Sequence, residues 1–451
     1  MNLFNLKPRV YLWYFKAFIA KRYKFIISGL IIGILLGFYW YSGYFLQFRE
    51  VFGQENSIGI IGKYNLSNLP VNLQNKISLG LTRIIDGQAT PSAGLSWQIK
   101  DNGKKYIFKL DNKLKWHDGK TFTSYDVNYR LKDVEIQAED NQTVIFKLKE
   151  PFSSLTAIVS QPLFKKGLTG IGEFKVNNIV WKDGSIEKLD LQSLKSKEKL
   201  VYKFFINEKA AKTALQLKKV SRLQGIEDVS IFTPSSDFII TPIDNYQKIV
   251  ALYYNTNKPP FDDKFIRNGL SYGVPDSIQI DYTKAMGPIP STSRYFNNNL
   301  KNYSENTELA MKYLADLTDK ESSQSSSFTI KLKTLFLYKN AADKIAESWN
   351  KIGISTAVGV ADAKNSEDFD VFLAAIELFS DPDQYYIWHS SQKSNLTNLN
   401  NPRIDKLLED GRRIIDENER KIKYQEFQKY LVEENPALFL YYAKTYTISR
   451  L

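Results

Sequence analysis

The pattern that most constrains the fold lies between residues 328 and 376, where strand-like and helical stretches alternate. Residues 328–337 favour a strand, and the next apolar residues recur at the spacing of one helical face: Ala342, Ile345, Ala346 and Trp349. Gly353 suits the position that ends a helix, and residues 354–360 and 369–376 favour two further strands. This order predicts a parallel sheet with a right-handed crossover.

The region before residue 150 favours antiparallel strands instead. Asn102-Gly103 supplies the positive φ angles of a tight turn, which predicts a hairpin between residues 96–100 and 104–110. Thr123 and Asp126 have the spacing of a capping box and predict the start of a short helix. The chain therefore divides into a β-rich region and a later α/β region, and its 451 residues suit two or three domains.

Positive charge is concentrated at the beginning of the chain. The formal net charge is +12. The first 24 residues contribute six basic side chains and no acidic one: Lys7, Arg9, Lys16, Lys21, Arg22 and Lys24. The remaining residues hold 55 basic and 49 acidic side chains. The excess is thus largely local to the N-terminus, and nothing in the sequence predicts nucleic-acid binding.

An uncharged segment follows, from residue 25 to residue 48. Its length suits a helix that spans a bilayer, and the four aromatic side chains in residues 39–44 suit the far membrane interface. The positive-inside rule places residues 1–24 in the cytoplasm and the bulk of the chain outside. We therefore predict a single-pass anchor in the cell membrane. A cleaved signal peptide, which has a shorter apolar region, is the alternative.

Neither catalysis nor metal binding is predicted by any motif. The chain has no cysteine, which excludes disulfides and thiolate chemistry. Its two histidines, His117 and His389, do not have the spacing of a zinc site, and no G-x-S-x-G motif occurs. His117 lies in a Lys-Trp-His-Asp-Gly turn that predicts a structural role. We expect no catalytic residue, no metal ligand and no cofactor.

Five short phrases follow one another in a fixed order along the chain. They are residues 91–97 (PSAGLSW), 115–122 (KWHDGKTF) running into 125–127 (YDV), 260–267 (PFDDKFIR), 403–408 (RIDKLL) and 433–441 (EENPALFLY). Together they resemble the extracytoplasmic solute-binding proteins of family 5, the oligopeptide, dipeptide and nickel type that feeds ABC importers. The resemblance extends over most of the chain after residue 55.

This resemblance implies a two-lobed α/β clamp of the periplasmic-binding-protein-like type (type II, cluster C) with mixed sheets, preceded here by one N-terminal transmembrane helix. The expected divisions are residues 1–24 (basic cytoplasmic segment), 25–48 (transmembrane anchor), 55–247 (first β-rich lobe, completed by 437–451) and 248–436 (second α/β lobe). Crossings near residues 247–252 and 434–438 would form the hinge. The family's extra subdomain after residue 127 is shortened here, because only residues 128–142 precede the next strand.

The ligand segment of the family matches residues 374–388. In peptide-binding members it places an acidic residue against the peptide ammonium and a Trp in the pocket, whereas the matching positions here are Leu378 and Ala375. Glu377 can replace the acidic residue only if a bulge or loop turns it to the same side, and a surface carboxylate is the alternative. Asp381 matches the family's Asp-Pro pair, either as a ligand contact or as a turn or cap residue.

Tyr385, Tyr386 and Trp388 are the aromatic candidates for lining the cleft, because flat amphipathic rings hold extended ligands at low entropic cost. Ordinary core packing is the alternative for each ring. Asn255 matches a family Asn at the start of the second lobe, with a structural role as its alternative, and Gly269 replaces an Ala in a family helix. The predicted ligand-binding set is Glu377, Leu378, Asp381, Tyr385, Tyr386, Trp388 and Asn255.

The function implied by the resemblance is that of a monomeric extracytoplasmic binding protein. It would close around a peptide or other small solute by hinge motion and pass it to the permease subunits of an ABC importer. Because the amine-binding acidic residue is changed, a blocked or internal peptide, an oligosaccharide or a metal chelate stays open as the ligand. The alternatives of a different class are a ligand sensor, a chaperone-like protein or a hydrolase on the same scaffold.

Overall fold

Residues 56–450 are described by the computed structural model, apart from residue 86, residues 233–237, 324–327 and 362–367, and the side chains of residues 316–323. In the N-terminal segment the described residues are 13, 15–24, 27–34 and 36–38, and they are helical. Contacts divide the chain into two compact units, Met1–Ser57 and Ile58–Leu451. The fold and the site described below belong to the second unit.

The predicted membrane anchor falls largely on residues outside the described part, which include 25–26, 35 and 39–48. Among the residues that are described, no helix is both long enough and apolar enough to span a bilayer. The anchor therefore stays a prediction.

The strands after residue 55 form three sheets. Their bounds are β1 Asn56–Ile61, β2 Thr82–Ile85, β3 Gln88–Pro91, β4 Gly94–Lys100, β5 Lys105–Leu110, β6 Val134–Asp140, β7 Thr143–Leu148, β8 Phe174–Lys182, β9 Ser185–Ser193, β10 Lys199–Phe205, β11 Arg222–Ile226, β12 Phe238–Tyr254, β13 Ile330–Thr334, β14 Thr356–Val360, β15 Val371–Glu377 and β16 Ala437–Arg450. The large sheet has the order β14-β13-β15-β12-β16-β11-β1-β10-β9-β8. A smaller sheet has the order β4-β5-β7-β6, and β2 pairs with β3.

The helices of the same part of the chain pack on these sheets. Their bounds are α1 Val71–Ile77, α2 Leu155–Ile158, α3 Glu208–Gln216, α4 Lys264–Tyr272, α5 Thr307–Ser323, α6 Lys339–Lys351, α7 Tyr385–Trp388, α8 Pro402–Arg413 and α9 Glu417–Glu434. Most of them lie after residue 260, which gives the second half of the chain its α/β character.

Buried apolar side chains gather in two regions and define two lobes. The first lobe holds three clusters, one around Phe108 and Phe146 on the small sheet and two on the large sheet before β12. The second lobe holds one large cluster, which extends from Ile249 to Ala443 and includes Trp349. The two-lobed α/β arrangement with mixed sheets is thus confirmed, because separate cores stabilise separate lobes.

The strand–helix–strand prediction is confirmed in the second lobe. β13 pairs in parallel with both β14 and β15, and α6 buries the four residues of the predicted apolar face. Gly353 has φ 87° just after α6, where a left-handed conformation ends the helix. β13 is shorter than predicted, because Phe336–Tyr338 form a 3-10 turn instead of continuing the strand.

The predicted hairpin and capping box are confirmed in the first lobe. β4 and β5 are antiparallel, with Lys100 opposite Lys105, so the connection has four residues, and Asn102 and Gly103 have φ 50° and 87°. Thr123 and Asp126 form a reciprocal capping box around a 3-10 turn. Only residues 127–133 separate that turn from β6, a strand that lies within residues 128–142, where the sequence analysis predicted none.

Two long strands run through both lobes. β12 and β16 are antiparallel neighbours. The first half of β12 and the second half of β16 pack in the first lobe, and their other halves pack in the second lobe. Their register shifts between Asn245 and Ile249 on β12. A register shift bends and twists a strand pair locally, and this one lies where β16 passes Tyr442. The second crossing thus falls later than the expected residues 434–438, because residues 437–443 pack in the core of the second lobe.

Candidate functional site

The lobes touch where the first-lobe segment before α2 meets the C-terminal end of α8. The Ser153 backbone N–H donates to the Arg412 carbonyl at 2.8 Å. The Ser153 hydroxyl donates to the carbonyls of Arg412 and Gly411 at 3.0 and 3.2 Å. Gln88 of β3 adds a contact of 3.1 Å to the Glu417 carboxylate at the start of α9. The structure therefore shows the lobes in contact.

A buried ion pair lies at the centre of this contact. Arg420 on α9 donates to Asp381 Oδ1 and Oδ2 at 2.7 and 3.0 Å, and its Nη2 also donates to Ser154 Oγ at 3.0 Å. The Ser154 hydroxyl in turn donates to Asp381 Oδ1 at 2.9 Å. Arg420 and Asp381 belong to the second lobe and Ser154 to the first, so we name this group the interlobe bridge.

The interlobe bridge is held firmly on the second-lobe side. The side chains of Arg420 and Asp381 are only 6% and 12% exposed, and Arg420 Nε donates to the Gly411 carbonyl at 3.0 Å. Burial by itself lowers the pKa of Arg420. The adjacent Asp381 carboxylate raises this pKa, and the net shift is upward. Arg420 thus stays charged, and Ser154 is the first-lobe member of the bridge.

Cavities lie beside the bridge, between the lobes. One of about 150 Å³ is lined from the first lobe by Trp97 and Tyr106 and from the second lobe by Tyr295 and Arg420. A second, of about 240 Å³, adjoins the crossing strand at Gln247 and the loop of residues 289–293. Both reach Asp381 and Gly87, so the two cavities flank the same point. They are partly open spaces between the lobes.

A larger groove of about 700 Å³ lies on the other side of α2. The first-lobe wall is formed by residues 130–134 and 148–152, and the second-lobe wall by α7 and the end of α8. We name it the outer groove.

The predicted ligand residues are not brought together. Asp381 lies in the interlobe bridge, and its Oδ1 also accepts from the Asp383 N–H at 2.9 Å. Glu377 is the exposed last residue of β15 and lines a separate cavity of about 230 Å³ inside the second lobe. Leu378 is buried in the second core, and its N–H donates to the Gln247 carbonyl at 2.7 Å. Sequence neighbours in this segment thus face different surroundings.

The aromatic candidates divide in the same way. Tyr385 and Tyr386 line the outer groove, Tyr386 being 56% exposed. Trp388 is buried against Tyr253 and Phe439, and its Nε1 donates to Gln384 at 2.8 Å. A direct ligand role for Trp388 stays a prediction, whereas its packing role is visible.

Two polar residues from the sequence analysis have structural partners. Asn255 is buried, donates through its amide to the Phe369 carbonyl at 3.2 Å and accepts from Asn398 at 3.1 Å. His117 Nε2 lies 2.9 Å from the Gly172 carbonyl, and burial lowers its pKa. The structural role predicted for His117 fits this contact. The ligand role predicted for Asn255 stays untested.

The sequence analysis missed Arg420, Ser154, Trp97, Tyr106 and Tyr295. Arg420 carried a detectable signal, because it falls four residues before Tyr424, in line with Phe427 and Leu431 at helical spacing, and a charge on such an apolar face is rarely buried without a partner. The other four have no local signal, since they meet only through the fold. Among the described residues, no cluster of three metal-ligating side chains is present.

Comparison with known proteins agrees with this architecture. Residues 88–398 match the family model described as bacterial extracellular solute-binding proteins, family 5 Middle. The oligopeptide-binding protein AppA of Bacillus subtilis is 25% identical, with 86% of each chain covered. The dipeptide-binding protein of Escherichia coli is 23% identical, with 84% of each chain covered.

Solved structures show the same fold. The substrate-binding protein CtaP of Listeria monocytogenes superposes with a TM-score of 0.72 at 20% identity, covering 88% of this chain and 94% of that chain. AppA of Bacillus subtilis in complex with a nonapeptide superposes with a TM-score of 0.67 at 20% identity and the same coverage. Since the family model spans well over half of its residues, this chain belongs to the bacterial extracellular solute-binding proteins of family 5.

Proposed function

We propose that this protein captures a peptide or a similar small solute between its lobes outside the cytoplasm and delivers it to the permease of an ABC importer, without catalysing a reaction. The observation that carries the proposal is the pair of cavities between lobes that touch through the interlobe bridge. A space between two cores that are joined by two bent strands suits capture by hinge closure.

The size of the cavities supports a short ligand. Their volumes, about 240 and 150 Å³, lie below the range of about 300–1,000 Å³ that is typical of small-molecule pockets. In the lobe arrangement described here they would hold a di- or tripeptide more readily than a long one. Aromatic rings at Trp97, Tyr106 and Tyr295 would pack against ligand side chains, and Gln88 and Glu417 offer polar contacts at the rim.

Ligand-dependent stabilisation of the purified full chain in detergent tests the proposal. A ligand that binds only the folded state stabilises it by about 2.7 kcal/mol at a hundredfold excess over Kd, so Tm should rise with a pool of short neutral peptides. Mass spectrometry of the co-purified material identifies the natural ligand. Peptide turnover by the purified protein would contradict the proposal, as would the absence of any shift or co-purified solute.

We further propose that residues 25–48 anchor the protein in the cell membrane, with residues 1–24 in the cytoplasm. The support is the charge asymmetry of the sequence around this uncharged segment. Protease added to spheroplasts should remove the bulk of the chain and leave a short membrane-bound stub. Recovery of a mature protein that begins after residue 45 would show cleavage instead of anchoring.

A further inference from the structure

The outer groove differs from the central cavities in size and in charge. Its volume of about 700 Å³ lies within the range of ligand pockets, and its walls come from both lobes. Five basic side chains line it: Arg130, Lys132, Lys149, Arg412 and Arg413. Three acidic side chains line it as well: Asp133, Glu150 and Glu409.

The acidic side chains of the groove are occupied by other partners. Asp133 is 2.6 Å from Lys149, Glu150 is 3.9 Å from Lys104, and Glu409 is 3.4 Å from His389. In contrast, Arg130, Lys132 and Arg413 form no ion pair within 4 Å among the residues that the structure describes. Basic side chains therefore outnumber acidic ones in the groove, and three of the five basic ones form no ion pair there.

Arg412 lies in the outer groove and is held by three aromatic rings. Its guanidinium lies 4.9 Å from the Phe152 ring centre, 4.4 Å from that of Tyr385 and 5.7 Å from that of Tyr386. Its Nε is 2.9 Å from Asp383 Oδ2. Stacking on aromatic rings fixes the plane of a guanidinium and thereby the direction of its N–H groups. The rings come from both lobes, so this arrangement is assembled only when the lobes meet.

Chain length explains why the groove is open. Residues 127–133 link the capping-box turn to β6 directly, and residues 130–133 of that link form the rim. A longer insertion at this point would stand over the groove. The short link instead leaves its basic side chains at the edge of an accessible channel between the lobes.

We propose that the outer groove is a binding subsite for the carboxylates of an acidic peptide. Carboxylates match the fork of guanidinium donors, and the rings of Tyr385, Tyr386 and Phe152 would pack against the peptide backbone and side chains. Only one part of this proposal rests on the proposed function, namely that the bound peptide is part of the transported solute. Binding at the groove itself does not require the central cavities.

Isothermal titration of the full chain in detergent tests the proposal with two blocked probes. Ac-Asp-Glu-Asp-Glu-NH2 should bind, and its amide counterpart Ac-Asn-Gln-Asn-Gln-NH2 should bind at least about tenfold more weakly. Neither probe has a free ammonium, so an amine site contributes nothing. Binding of the acidic probe should weaken as salt rises, because the Debye length falls from about 10 Å at 0.1 M to about 3 Å at 1 M.

Charge reversal locates the subsite. The double variant Arg130→Glu and Arg413→Glu should lose about tenfold in affinity for the acidic probe, since two attractive contacts become repulsive. The matched control, Lys199→Glu with Lys209→Glu, makes the same change in net charge on exposed first-lobe positions outside the groove. All three proteins should have the same Tm, because the altered side chains are exposed.

Two outcomes would overturn the subsite. One is equal affinity of the acidic and amide probes for the wild type, and the other is an equal loss in the control variant, which would indicate general attraction to a basic surface. Either leaves the proposed function intact, since that is measured by stabilisation with neutral peptides. Conversely, acidic-probe binding at the groove with no stabilisation by neutral peptides would contradict capture in the central cavities while supporting the subsite.

Discussion

The Arg420 side chain joins more structural elements than any other residue of the interlobe bridge. It contacts Asp381 before α7, Gly411 in α8 and Ser154 at the start of α2. Its charge is buried, and a buried ion pair is retained at little net gain but is costly to break. Removing Arg420 would therefore leave the Asp381 carboxylate buried without a compensating charge.

Replacing Arg420 by Met should destabilise the protein by about 3–5 kcal/mol, because Asp381 is left buried without its partner. Urea unfolding followed by tryptophan fluorescence measures this. The matched control is Lys423→Ala on the same helix, which removes an exposed pair with Glu426 at 2.9 Å and should cost at most about 1 kcal/mol. Adding Asp381→Ala to Arg420→Met should recover part of the lost stability. Equal costs for Arg420→Met and Lys423→Ala would contradict the argument.

Glu377 and Leu378 decide whether a free ligand ammonium matters. Glu377 is exposed at the end of β15 and Leu378 is buried in the second core, so neither presents a carboxylate to the central cavities. We expect Glu377→Ala to leave peptide affinity within about twofold and N-acetylated peptides to bind as well as free ones. Titration calorimetry with one such peptide pair checks this. A loss of about thirtyfold in both comparisons, equivalent to about 2 kcal/mol, would show that Glu377 holds the ammonium.

At the scale of elements, close packing explains a residue that departs from the family pattern. α4 carries Gly269 where the family helix has Ala. A Cβ atom built at Gly269 would lie 2.6 Å from Leu314 Cγ and 2.9 Å from Tyr313 Cβ on α5. The two helices therefore approach more closely than an alanine allows, and the glycine is a packing requirement at this position.

Gly269→Ala should destabilise the second lobe by about 1–3 kcal/mol through overpacking, even though alanine is the better helix former. The control is Gly359→Ala on β14, where the nearest atom to the new Cβ would be 3.9 Å away and the cost should be small. Thermal unfolding of both variants measures the difference. A Gly269→Ala protein as stable as the wild type would show that α4 and α5 can separate freely.

At the scale of the whole molecule, closure of the lobes is the property that the proposed function needs. The two long strands β12 and β16 connect the lobes, and their irregular register lies beside the central cavities. Across the cleft, the second-lobe ion pair meets the first lobe through one hydroxyl, that of Ser154. This hydroxyl is therefore one interlobe contact that can be removed without disturbing either core.

Ser154→Ala should shift the balance toward open lobes, because Arg420 and Asp381 lose their first-lobe partner at a cost of about 1–3 kcal/mol. Small-angle scattering of the ligand-free protein should show a larger radius of gyration, and ligand affinity should fall. Ser160→Ala is the control, since its hydroxyl bonds to Ala157 within the first lobe at 2.6 Å. An unchanged radius and affinity in Ser154→Ala would remove the bridge from the closing mechanism.

Local features of the fold were predictable from the sequence for a physical reason. The turn at Asn102-Gly103, the capping box of Thr123 and the end of α6 at Gly353 each depend on residues close in the chain. The apolar spacing of α6 reports one buried face directly. The family phrases extended this to the two-lobed architecture. Together they predicted some of the elements, their order and the class of protein, whereas strands such as β6 and β8–β11 were not predicted.

Only the tertiary structure decided which residues share the cleft. Asp381 was singled out by its motif, but its partners Arg420 and Ser154 are 39 and 227 positions away, and no local pattern reports such distant pairs. The ligand segment also divides, because a strand end and a short helix turn consecutive side chains toward different neighbours. Sequence thus determined what each segment becomes, while the packing of distant segments decided what each side chain meets.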